Sequence, residues 1–213
     1  MTSEPRPTVK EESGVEQGCS NPDHLVPELR EYDRQFSAIR RDAELLLDGL
    51  TERELVWHAE RGTWSIVECL NHLAVSGNQS LSNIRSAIVD ARSKGLLGAG
   101  PFRHSFHGNV LIRLMDAPPV IRFKVPKAYR PLPDVSVAEV LTAFFLCQDE
   151  LARVLRDANG LDLARVKVAN PVSNWFRLSL GQEFALTAAH ERRHLWQALR
   201  VRNKLSSTDV ASH

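Results

Sequence analysis

His190 and His194 stand four residues apart, and His72 lies far upstream of both. On a helix, a four-residue step puts both imidazoles on one face, within reach of one ion. A third ring nitrogen from His72 would complete a facial set of three. Three protein ligands with positions left open are the pattern of a catalytic metal site rather than a closed structural one. Nitrogen-rich ligation suits a divalent zinc, nickel or iron ion, and the residues alone do not choose among them. The plain alternative is a set of surface or hydrogen-bonded histidines with no metal.

The run His190-Glu191-Arg192-Arg193-His194 also spells His-Glu-x-x-His, in which the glutamate serves a metalloprotease as base. That reading is the least favoured. After His194 only Asp209 and His213 remain as third ligands, and no sheet is expected against which a peptide could lie.

The pair sits in a polar seam. Leu180, Glu183, Thr187, His190, His194, Gln197 and Val201 recur at three and four residues, so they share one helix face. Buried polar groups without partners cost on the order of 1–3 kcal/mol each, so this face needs partners inside or exposure to water. A second seam, Ser65, Cys69, His72, Ser76 and Gln79, has the same rhythm. Two such seams point to a polar cavity between their helices. The face carrying Arg192, Arg193 and Arg200 is expected to meet solvent, with Trp196 as the candidate for a subunit contact. Glu68 reads as a helix cap before it reads as a base, Cys69 as a small buried apolar residue. His104 and His107 are expected to be solvated. No residue declares itself as the general acid or base.

The elements that must position these groups follow from periodicity. Leu29, Tyr32, Phe36, Ile39, Ala43, Leu46 and Leu50 form one stripe and predict a helix from about Pro27 to Leu47. Ser65 to Glu68 and Ser136 to Glu139 are capping boxes that open helices running to about Ser93 and to Asn159-Gly160. Ser179 to Gln182 opens a last helix to about Val201, and Thr51 to Glu54 opens a short one. The connection from Lys94 to Val135 is long, rich in glycine and proline, and basic, with Arg113, Arg122, Lys124, Lys127 and Arg130 against Asp116. The expected fold is all-α, a four-helix bundle with this long crossover between its second and third helices. A crossover of that length is often a pocket wall.

Composition sets the limits. The chain has 213 residues, 27 Lys and Arg against 26 Asp and Glu, and three cysteines too far apart for a disulfide framework. That charge balance argues against a nucleic-acid binder, and no apolar run is long enough for a membrane span. A reducing cytoplasm is the expected setting. Residues 1–22 read as a disordered tail, 23–205 as the folded unit and 206–213 as a second tail.

At Trp64-Ser65-Ile66-Val67-Glu68-Cys69-Leu70-Asn71-His72-Leu73 and His190-Glu191-Arg192-Arg193-His194-Leu195-Trp196-Gln197 the chain resembles the DinB-like (DinB/YfiT) superfamily of metalloenzymes. The likeness extends over about residues 25–203. It implies a four-helix bundle, often a homodimer, with a divalent metal on three side chains. The family's ligands fall on His72, His190 and His194. Relatives include thiol-dependent S-transferases and a maleylpyruvate isomerase, in which the metal activates a low-molecular-weight thiol. The resemblance therefore implies a metal-dependent transferase or hydrolase, with zinc or nickel as cofactor and a small molecule, such as a thiol, as partner. A non-catalytic binding or interaction module on the same scaffold is the alternative. It would leave the histidines hydrogen-bonded to one another or to Glu183 and Gln197.

Overall fold

Hydroxyl caps set where most of the helices begin. In the computed structural model, which describes residues 25–119, 121, 124–169 and 177–210, the helices are α1 (Pro27–Leu47), α2 (Glu52–Leu55), α3 (Ile66–Ser93), α4 (Phe106–Met115), α5 (Val137–Asp157) and α6 (Leu180–Val210). The expected tail over residues 1–22 lies outside the described residues. Among the described residues the chain is all-helical, with no strand and two isolated bridges, Leu97 to Leu161 and Lys167 to Ser179. No helix among them is long and apolar enough to cross a membrane.

Thr51, Ser65 and Ser136 each head a complete capping box for α2, α3 and α5. At α3 the Glu68 amide donates to Ser65 Oγ at 3.3 Å, and the Ser65 amide donates to Glu68 Oε2 at 2.8 Å. Two amides that the first helical turn leaves without partners are thus satisfied. The Gln182 amide and the Ser179 hydroxyl make the same contact at the start of α6, at 3.3 Å. Ser65→Ala should lower stability by about 1 kcal/mol, the usual worth of such a cap. A shift of the unfolding midpoint without change in denaturant slope is the expected reading.

Packing follows the apolar stripes. Leu29, Tyr32, Phe36, Ile39, Ala43 and Leu46 of α1 are all buried. Each fully buried large side chain contributes about 1.5–3 kcal/mol by leaving water. α1 lies against α5 and α6, and α3 lies against the same two helices. Phe144 from α5 and Phe184 from α6 are among the largest side chains wholly inside. At Gly77 a side chain would run into Cys147 Sγ, so that glycine allows α3 and α5 to approach closely. Along α3 and α6, His72 faces His190 and Ser80 faces Glu183, so the two helices run antiparallel.

The crossover and the end of the chain differ from expectation. The Lys94 to Val135 connection contains α4 and a 3-10 turn at Lys127–Tyr129. α4 buries only Gly108, so its apolar residues at helical spacing, Phe106, Val110 and Leu114, do not mark a buried face. Polar contacts fix it instead: Gln182 Nε2 donates to the Ser105 carbonyl at 2.7 Å and to Asn109 Oδ1 at 2.9 Å. The last helix continues to Val210 instead of ending near Val201. Beyond Val201, Arg202 donates to the carbonyls of Leu46 and Asp48 at 2.8 and 3.0 Å, which ties the added turns to the end of α1. Of the expected tail 206–213, residues up to 210 continue this helix and 211–213 lie outside the described residues.

Candidate metal centre

α3 and α6 bring three rings to one point. Ligand-capable ring nitrogens of His72, His190 and His194 all lie within 4.8 Å of one another. His72 Nε2 is 3.1 Å from His190 Nε2, and the ring centres of His72 and His194 are 4.5 Å apart. Trp64, just ahead of the α3 cap, lays its indole 4.9 Å from the His72 ring and 5.6 Å from that of His194.

The chemistry of the rings is set by burial and by one carbonyl. His72 Nδ1 donates to the carbonyl of Tyr129 in the crossover. A carbonyl only accepts, so this bond assigns the proton to Nδ1 and leaves the Nε2 lone pair facing the other rings. Burial disfavours the charged form of all three. It lowers His72 below its ordinary value against the opposing pull of the Tyr129 carbonyl. It takes His190 down to about 3, helped by His72 and Arg193. It takes His194 down to about 2, helped by His190, His72 and Arg193 and resisted by Gln197. His194 Nδ1 is buried with no hydrogen-bond partner among the described residues. Neutral rings, one lone pair aimed inward and an orphaned ring nitrogen are what a divalent ion with nitrogen ligands requires.

The rings open onto a cavity of about 800 Å³ lined by α3, α6, the segment before α3 and the crossover. This is the size of a small-molecule site. Met115, Pro119 and Lys124 line it from the crossover, and Tyr129 joins them. Asn71 fastens the crossover to α3, donating to the Leu132 carbonyl at 2.9 Å and accepting from its amide at 3.2 Å. Gln79 adds a bond to the Ala128 carbonyl at 3.1 Å. Asn71→Ala should cost about 1–2 kcal/mol and speed amide exchange at Leu132, since each lost bond is worth about 1 kcal/mol. Unchanged exchange there would remove Asn71 as the fastening.

The other sequence candidates fall elsewhere. Glu68 caps α3 and also accepts from His58 at 2.8 Å, away from the rings. Glu191, the glutamate of the His-Glu-x-x-His run, is buried and accepts from Gln148 on α5 at 2.8 Å. Burial raises its carboxyl to about 8. Its Oε1 is thus held by a structural amide, while its Oε2 has no hydrogen-bond partner among the described residues and the residue borders the same cavity as the rings. Cys69 and Cys147 are buried free thiols, Cys147 pushed up to about 12, and neither is poised as a nucleophile. His104 is not solvated: it links Ser179 Oγ at 2.7 Å to Glu28 Oε1 at 2.8 Å, while His107 is exposed.

The arginine face also differs. Arg192 makes a bidentate pair with Asp116 at 2.9 and 2.7 Å and reaches Gln35 at 2.8 Å. Arg193 donates to the carbonyls of Leu114 and Ile121. α4 covers this side of α6, so only Arg200 of the three is fully exposed. Trp196 lines the cavity, with the Arg200 guanidinium 4.9 Å over its ring. Of the basic crossover residues, Arg122 lies outside the described residues and Lys124 lines the cavity.

The family model for the DinB superfamily matches residues 35–198. The chain belongs to the DinB superfamily. No curated protein and no solved structure matches it. The matched stretch runs from within α1 to within α6 and contains all three rings of this DinB-superfamily site. Sequence reasoning passed over one of its parts and named the other, Trp64, only as the opening of the family motif. The Tyr129 carbonyl is a backbone atom and leaves no signature in residue type. Trp64 did leave one, a large apolar residue directly before the α3 cap, where such residues fold back over the helix.

Proposed function

We propose that this DinB-superfamily chain is a metal-dependent enzyme acting on a small molecule, of the thiol S-transferase or hydrolase type. His72, His190 and His194 would hold the ion, and zinc or nickel suits three imidazole nitrogens. The scaffold is a four-helix bundle of α1, α3, α5 and α6, with the crossover as the cavity's cover. The observation that carries the reading is the meeting of three neutral rings, His72 and His194 buried and His190 half-buried, on the wall of a cavity of small-molecule size. A divalent ion there would supply Lewis acidity, lowering the pKa of a water or thiol near neutral pH.

The chain's own residues have three tasks. Tyr129, through its carbonyl, holds the His72 ring in one tautomer and one orientation. Trp64 covers the rings and limits water. The crossover covers the substrate, which enters beneath it. In this reading the protein is a cytoplasmic homodimer whose partners are small molecules, neither nucleic acid nor membrane. Metal analysis of purified protein, followed by turnover with a small panel of thiols and electrophiles, tests this. Stoichiometric metal with thiol-dependent turnover is expected, and metal-free protein without turnover would overturn it.

A second reading has one observation in its favour. At 3.1 Å, His72 and His190 can hydrogen-bond to each other with no ion present. The protein would then be a non-catalytic binding module. It predicts a melting midpoint indifferent to chelator, whereas the enzyme reading predicts a clear fall.

A further inference from the structure

Glu183 is a carboxyl that neither the fold nor the metal site uses. It lines the cavity on the same seam of α6 as His190, seven residues earlier. Two helical turns at 1.5 Å per residue place the two about 10 Å apart along the axis. Its position in the first turn of α6 does not explain it as a cap. The Leu180, Gly181, Gln182 and Glu183 amides already donate to the Val166 carbonyl, the Leu163 carbonyl, the Ser179 hydroxyl and the Ser179 carbonyl. Burial raises its carboxyl above the ordinary range, and Ser80 is the one group among the described residues that favours its charged form. The surroundings at that end are hydroxyls and amides: Ser76, Ser80, Asn83 and Thr187. Glu183 is half-buried and faces the cavity, so a ligand that fills the cavity would strip its remaining water, and a cation on that ligand would offset the cost of burying the carboxylate.

We propose that Glu183 recognises a protonated amine on the small molecule the cavity accepts, two helical turns from the histidine centre. This rests on the metal-enzyme reading. The substrate class becomes an aminated one, with its reacting atom at His72, His190 and His194 and an ammonium against Glu183. Serine hydroxyls at positions 76 and 80 complete the ammonium's hydrogen bonds.

The test uses the full chain loaded with cobalt(II), whose absorption changes when a thiolate binds. Aminohexanethiol and hexanethiol differ only in the amine and span the distance between the two points. The amine should tighten binding by roughly tenfold or more, the worth of a charge-assisted hydrogen bond. Glu183→Gln should erase that advantage and leave hexanethiol unchanged, while Glu183→Asp should keep it. Equal binding of the two thiols by the unaltered chain, with the cobalt band responding to both, overturns the amine site and leaves the metal reading standing. If no thiol moves the band, the thiol chemistry fails, and hexylammonium added to metal-free protein decides the site. A rise in melting midpoint that Glu183→Gln abolishes supports it, and no rise overturns it.

Discussion

The full chain carrying His190→Ala together with His194→Ala is expected to purify nearly free of metal where the unaltered chain holds about one ion per chain. The two substitutions remove two of the three ring nitrogens that meet at the site. Loss of a mere supporting partner of a ligand costs roughly 10–100-fold in affinity, so loss of two direct ligands costs more. The same experiment has a thermal arm. An ion present at a thousand times its dissociation constant adds about 4 kcal/mol to stability. For a chain of this length each kcal/mol moves the midpoint by about 2–4 °C, so chelator should lower it by about 8–16 °C. The double variant should melt at one temperature with or without chelator. Equal metal in both proteins would sink the assignment of these histidines. An unaltered chain that is metal-free and indifferent to chelator would favour the binding-module reading.

Acid should unfold the metal-free protein steeply. His190 and His194 sit well below the ordinary histidine value of about 6.5 because burial opposes their charge. In the unfolded chain both return to that value. As pH falls below it, the unfolded state binds protons that the folded state does not, so the equilibrium moves toward unfolding. Stability is therefore full above about pH 6.5 and is lost as pH falls toward the folded values. The slope is about 1.4 kcal/mol per pH unit for each histidine kept neutral, or about 3 kcal/mol per unit for the pair. Urea midpoints measured from neutral pH down to about pH 5 check this, because that window lies below the unfolded value of about 6.5. The double alanine variant should show a flatter profile. A profile equally flat in the unaltered chain would mean that the rings are protonated in the folded state.

Much of this architecture is written in short-range signals. The boxes at Thr51, Ser65 and Ser136 satisfy amides within three residues, and they open helices where the hydroxyls stand. The α1 stripe from Leu29 to Leu46 is buried as its spacing requires. The polar seams through His72 and His190 do border one cavity. What stayed hidden depends on elements far apart along the chain. Arg192 and Arg193 looked like a solvent face because the apolar residues of Phe106–Met115 do not say that this helix covers them. That helix binds through Gln182, Asn109 and Asp116, and polar pairings of this kind have no period. His104 was likewise unreadable, since its two partners come from the starts of α1 and α6.

The two arginines lie between the two histidines, within a single turn of α6. One side of that turn forms the floor of the chamber, and the other is moored to its roof at Asp116, Leu114 and Ile121. Floor and roof are therefore one mechanical piece. The stretch of backbone that sets the gap between His190 and His194 is the one tied to the roof through Arg192 and Arg193.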